Sequence, residues 1–148
     1  MAETLRYTVT ISAAPERVWE TLTTPEGSSA TLFGSRIESS FEIGGRVEFV
    51  GHGADGERTV QVYGEITEFE PCRRFGYVQH PGPVHNPEHA ETSCRMTHVL
   101  TPRGDGTDLE LVIDRWSEGN PAYEHALSSY PESGYLAGIK AHAESRTA

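Results

Sequence analysis

His98 stands in the run Cys94, Met96, His98, Leu100, where every second residue shares one face of a strand, so its imidazole is set among apolar neighbours. Facing inward, it has two kinds of chemistry open to it. It can serve as a general base near neutral pH or hydrogen-bond a ligand. Alternatively it is a buried neutral ring bonded to a tyrosine or a backbone carbonyl. Arg115 closes the next run, Leu109, Leu111 and Ile113. A guanidinium there suits a bidentate grip on a ligand carboxylate, or a pairing with an acid at the sheet's rim such as Glu118. Phe75, Tyr77 and Gln79 share a third face, and Val47 with Phe49 a fourth. Together these faces describe an apolar wall with a few polar groups, His98, Tyr77, Gln79 and Arg115, which is the usual make-up of a small-molecule site. Packing alone is the other reading of each apolar member.

His80, His85 and His89, with Glu91 beyond, invite a metal reading. His85 and His89 have the spacing of two ligands one helical turn apart, but Pro87 between them opposes the helix that would hold both. No metal and no cofactor are therefore expected, and a lid over a pocket mouth is the better use of such a loop. No Gly-x-Ser-x-Gly elbow, phosphate-binding glycine loop or dinucleotide fingerprint occurs. Cys72 and Cys94 form no CxxC pair, so neither a disulfide scaffold nor a zinc knuckle is indicated.

The elements that must position these residues follow from periodicity. Residues 4–11 alternate, with Leu5, Tyr7, Val9 and Ile11 on one face, and read as a half-buried strand. Pro15 opens a short helix that buries Val18 and Leu22 with Trp19 beside them, and Pro25 and Gly27 are expected to break it. A second helical turn is expected over about 28–33. Strands follow over 36–41 and 46–50, turning at Gly44 and Gly45. Asp55 and Gly56 then suit a hairpin because both accept positive φ. Residues 58–70 read as a long strand, bent at Gly64 and ended by Pro71. A strand around Phe75 and Tyr77 precedes the loop 80–90, where three prolines forbid a regular ladder. Strands 91–101 and 107–116 make the last hairpin. Pro121–Ala143 is the long helical candidate, with Tyr123, Leu127, Tyr130, Leu136 and Ile139 as an imperfect stripe and a break expected at Pro131.

This order predicts one α+β domain over residues 1–148, with antiparallel strands curling around a long C-terminal helix and two short helices after strand 1. A single helix cannot fill the concave face of so large a sheet, and the remainder is a cavity. The chain has 148 residues and a net charge of −10. So acidic a surface repels nucleic-acid phosphates and anionic lipid, and neither partner is expected. No stretch is long and apolar enough to cross a bilayer, and the opening residues lack the basic and apolar regions of a signal peptide. A cytoplasmic protein, monomer or homodimer, is the plain expectation.

The stretch from Ile11 to Thr23, carrying Pro15, Val18, Trp19 and Leu22, resembles the opening strand and helix of the activator of heat-shock-protein-90 ATPase homologue-like domains, members of the START-related, birch-pollen-allergen-like (SRPBCC) superfamily. Further matches come in order: Gly44 and Gly45 with Val47 and Phe49, Gly64 to Ile66, Glu70 and Pro71, Arg73 to Tyr77, Leu100 to Pro102, Gly106 to Leu109, and Gly138 to Lys140. The resemblance implies a helix-grip fold with a hydrophobic cavity, and it does not imply chaperone work. Where such domains often carry an aromatic residue near the packed half of the last helix, this chain has Glu132 or Ser133, with Tyr130 and Tyr135 nearby. Parity and resemblance together give a candidate ligand-binding set of Phe49, Phe75, Tyr77, Met96, His98, Leu111, Ile113, Arg115, Tyr130, Tyr135 and Ile139. The expected function is binding or sensing of a small hydrophobic or aromatic molecule, with no catalytic residue assigned. A cyclase, dehydratase or hydrolase using His98 or Tyr77 is one alternative, and a co-chaperone-like interaction module the other.

Overall fold

A computed structural model describes residues 3–31, 34–53, 55–121, 123 and 134–145. Seven strands form a single antiparallel sheet: β1 (Leu5–Ile11), β2 (Arg36–Ser39), β3 (Arg46–His52), β4 (Arg58–Glu70), β5 (Arg74–Pro81), β6 (Cys94–Arg103) and β7 (Gly106–Asp114). Their order is β1-β7-β6-β5-β4-β3-β2, so every neighbouring pair except β1–β7 is consecutive in sequence. Hairpins need only short loops, which is why alternation and turn residues located most strands correctly. The curved sheet and its helices make the expected α+β helix-grip fold.

Two short helices follow β1, α1 (Pro15–Thr23) and α2 (Pro25–Thr31). Pro25 begins α2 instead of merely ending α1, and Gly27 lies inside it. Thr24 makes this possible: its Oγ1 accepts the Gly27 N–H at 3.2 Å while its carbonyl accepts the Ser28 N–H at 3.0 Å. That is a side-chain cap followed by proline at the first helical position, where its missing N–H costs nothing. Gly27 is held by packing, because a Cβ there would lie 2.2 Å from the Thr21 carbonyl oxygen. The expected second helix over about 28–33 therefore starts three residues early.

The C-terminal helix α3 (Gly134–Ser145) packs on α1, α2 and β1. Leu136, Ile139 and Ala143 are its buried stripe. Polar ties fix the helix to β1 and the residue after it: Lys140 Nζ donates to the Thr10 carbonyl at 2.9 Å, and Glu144 Oε2 accepts the Ser12 N–H at 2.7 Å. Residues 122 and 124–133 of the expected long helix, with Tyr130 and the break expected at Pro131, lie outside the described residues.

Strand parity divides the chemistry. Leu5, Tyr7, Val9 and Ile11 of β1 pair with Ile113, Leu111, Leu109 and Thr107 of β7, and the same inner face continues through Met96, His98 and Leu100. Phe75, Tyr77 and Gln79 extend it to Phe69, Ile66 and Gly64, and then to Phe49 and Val47. No Asp, Glu, Lys or Arg of the seven strands stands on this face. The opposite face carries the charge, including bidentate Arg95 to Asp114 at 2.8 and 2.6 Å and Arg74 to Glu68 at 2.8 Å. One irregularity shifts β3 against β4 between Phe49 and Val50, and another shifts β4 against β5 between Ile66 and Glu68. Bulges of this kind bend a strand and deepen the curl of the sheet.

Candidate functional site

His98 is held in the middle of β6 with none of its surface exposed. Phe75 is its partner across the β5–β6 ladder, and the imidazole turns back along that pair. Its Nδ1 lies 3.1 Å from the Phe75 carbonyl oxygen and its Nε2 lies 2.6 Å from the Tyr135 hydroxyl. A carbonyl only accepts, so Nδ1 carries the proton, and Nε2 must then accept the tyrosine O–H. Both ring nitrogens are thereby satisfied and one tautomer is selected. Burial pushes the imidazole down to about 4, against a smaller opposing effect of the Phe75 carbonyl, so the ring is neutral at neutral pH. Of the two readings open from sequence, the geometry matches the neutral ring bonded to both a tyrosine and a backbone carbonyl.

Aromatic rings surround it. Phe75 and Tyr77 stack near His98 with centroids 5.9 and 6.1 Å away, and Tyr135 meets it edge-on at 5.8 Å. Phe49 reaches Tyr77 at 5.6 Å. On the other side Trp19, Phe41 and Phe69 close against Phe75, at 6.1, 6.3 and 6.2 Å. Sequence parity did not join these last three to the wall. Trp19 lies on a helix, while Phe41 follows β2 with a φ of 57° that turns its ring inward, a conformation no alternation pattern signals.

The structure brings Phe49, Phe75, Tyr77, Met96, His98, Leu111 and Ile113 together on the inner face, all buried, with Ile139 of α3 buried as well. Tyr135 joins them through His98. Arg115 does not share their setting. Alternation stops at Asp114, Arg115 adopts a φ of 53°, and its side chain is exposed, with no acidic partner among the described residues. Tyr130 lies outside the described residues.

The loop after β5 is tied down by its histidines. His80 Nδ1 donates to the carbonyls of His89 and Thr92, both at 2.9 Å. Tyr63 on the outer face of β4 stacks on His80 with centroids 4.9 Å apart, and its hydroxyl meets His89 Nδ1 at 2.6 Å. His85 bonds the Gln61 side chain. The ties run to β4 and to the loop's own backbone. Among the described residues no group of three or more His, Cys, Asp or Glu could hold a metal ion.

A family model described as Activator of Hsp90 ATPase homolog 1-like protein matches residues 12–132. No curated protein sequence matches. Among solved structures, protein MLL2253 from Mesorhizobium loti superposes with a TM-score of 0.75 at 20% identity, covering 99% of this chain and 100% of that one. The Aha1 dimer from Colwellia psychrerythraea gives 0.69 at 14% identity, covering 99% of each chain. DynU16, from the dynemicin biosynthetic locus, gives 0.67 at 17% identity, with 95% of this chain covering 46% of that one. At these identities the structural likeness establishes the fold alone.

Proposed function

The chain belongs to the activator of Hsp90 ATPase homolog 1-like family, and from that footing we propose that it binds or senses a small hydrophobic or aromatic molecule on the inner face of its sheet. One observation carries this reading. Across seven strands the inner face holds apolar and aromatic side chains and no ionised acid or base, while its fixed polar group is the neutral His98–Tyr135 pair. An apolar surface with a few oriented hydrogen-bonding groups suits an uncharged ligand with aromatic or aliphatic bulk. Phe49, Tyr77, Met96 and Ile113 supply the wall in this reading, and Tyr135 with His98 the polar end.

The same pair weighs against acid–base catalysis as the primary role. A histidine held near 4 is a weak base at neutral pH, whereas efficient general bases titrate close to it. A dimer in solution, the form of the Colwellia Aha1 structure, is compatible with binding on the inner face, because the outer face and both sheet edges lie elsewhere.

The test is a stability screen against neutral aromatics, fatty alcohols and polycyclic ketones, followed by NMR mapping. A ligand of this site raises the melting temperature progressively with its concentration, by about 2.7 kcal/mol of added stability at a hundredfold excess over Kd. It also moves the Tyr77 ring and Met96 methyl resonances. A screen in which no compound class shifts either readout removes the proposal.

A further inference from the structure

The outer face of the sheet carries a pocket of about 220 Å³, lined by Gly44, Arg46, Tyr63, Gly64, Glu65 and His80. Strands β3, β4 and β5 build its wall around one ring. The Arg46 guanidinium lies 4.6 Å from the Tyr63 ring centroid, and His80 stacks on the same ring at 4.9 Å. Arg46 Nε also donates to Glu48 at 2.7 Å. These ties fix the wall in advance, so a ligand has little rotamer freedom left to freeze out.

What the ties leave over is chemically specific. The terminal nitrogens of Arg46 donate no hydrogen bond among the described residues. His80 gives its Nδ1 proton to the His89 and Thr92 carbonyls, so its Nε2 carries a lone pair and accepts. Glu65 stands opposite Arg46 in the β3–β4 register, where unlike charges ordinarily meet. Arg46 turns instead to Glu48 and Tyr63, and the Glu65 carboxylate has no partner among the described residues. The pocket thus offers donors from β3 and acceptors from β4 and β5. One guanidinium against the carboxylates of Glu48 and Glu65 leaves it net negative, in a chain whose own charge is −10. Its volume equals that of roughly seven water molecules, which suits a group of a few heavy atoms.

We propose that this pocket binds a primary ammonium with a neutral carbonyl oxygen beside it, the group shared by small amino amides and the free amino terminus of a peptide. The ammonium donates to Glu65 and to His80 Nε2, and Arg46 donates to the carbonyl oxygen. A free amino acid fits less well. Its carboxylate must compete with Glu48 for Arg46, and its zero net charge gains less from a negative pocket. The site lies on the face opposite the proposed inner-face one, and neither depends on the other.

NMR titration at neutral pH with L-alaninamide, N-acetyl-L-alaninamide and L-alanine tests it, read at the Gly44 and Gly64 amides. Expected is saturable binding of alaninamide with a Kd on the order of 1 mM, none by the acetylated probe, and weaker binding of alanine. Glu65→Gln, at an exposed and unpaired position, should weaken alaninamide roughly three- to tenfold with the melting temperature unchanged. His80→Phe, which keeps an aromatic ring against Tyr63 and loses Nε2, should weaken it by a similar factor. Alaninamide that fails to saturate, or that binds Glu65→Gln as tightly as the wild type, overturns the proposal. Equal binding of the acetylated probe, or stronger binding of alanine, overturns it too. Trialaninamide separates the two sources of the group: retained affinity marks a peptide amino terminus, and lost affinity a free amino amide.

Discussion

His98 shows how a residue's meaning depends on its partners. An unfolded histidine takes a proton near its ordinary 6.5, whereas the buried one resists until about 4. Between those values the unfolded chain binds the extra proton, so falling pH favours unfolding. Stability should be flat above about pH 6.5 and should decline by roughly 3 kcal/mol on the way down to about pH 4. His98→Gln, which cannot take up a proton, should lose this share of the slope in urea denaturation followed across that range, though it is less stable at pH 7. Identical slopes in the two proteins would mean that the folded imidazole titrates normally. The alternating run 94–100 revealed that this histidine faces inward, but its partners lie 23 and 37 residues away in sequence, beyond the reach of any local pattern.

At the scale of elements, the β4–β5 hairpin is the part of the sheet with least tolerance. Gly64 lies against the Val78 carbonyl, so Gly64→Ala must push the two strands apart in the middle of the longest strand. A loss of about 3 kcal/mol or more is expected in chemical denaturation, on the scale of severe backbone and packing defects. A variant with the wild-type midpoint would show that the strand has room to yield. Sequence marked Gly64 as a bend, and strands and hairpin turns were legible because period-two alternation and turn glycines are local signals. Helix α2 was misplaced because Pro25 reads equally as the end of one helix or the start of the next. Only the Thr24 cap, a choice of side-chain rotamer, decides between them.

For the whole molecule, the division of the sheet into a charged outer face and an uncharged inner face governs what it meets in solution. With a net charge of −10, it should show no binding to a labelled DNA duplex by anisotropy and none to anionic vesicles by sedimentation, even at low salt where such attraction is strongest. Saturable binding to either would require a basic patch that the fold assembles from its twelve Lys and Arg residues. Those in the strands face outward, and several are already paired with carboxylates, among them Arg46 with Glu48, Arg58 with Glu38 and Arg103 with Asp108. Among the described residues no helix is long and apolar enough to cross a membrane.

The sequence by itself determined the α+β order of elements, the parity of nearly every strand and the sign of each face, because these depend on residues two to four positions apart. Tertiary structure alone decided which groups have partners: His98 between Phe75 and Tyr135, Arg46 over the Tyr63 ring at 4.6 Å, and the histidine loop tied to β4. Hydrogen bonds act over about 3 Å. Only the closed sheet and its docked helix bring residues distant along the chain within that range.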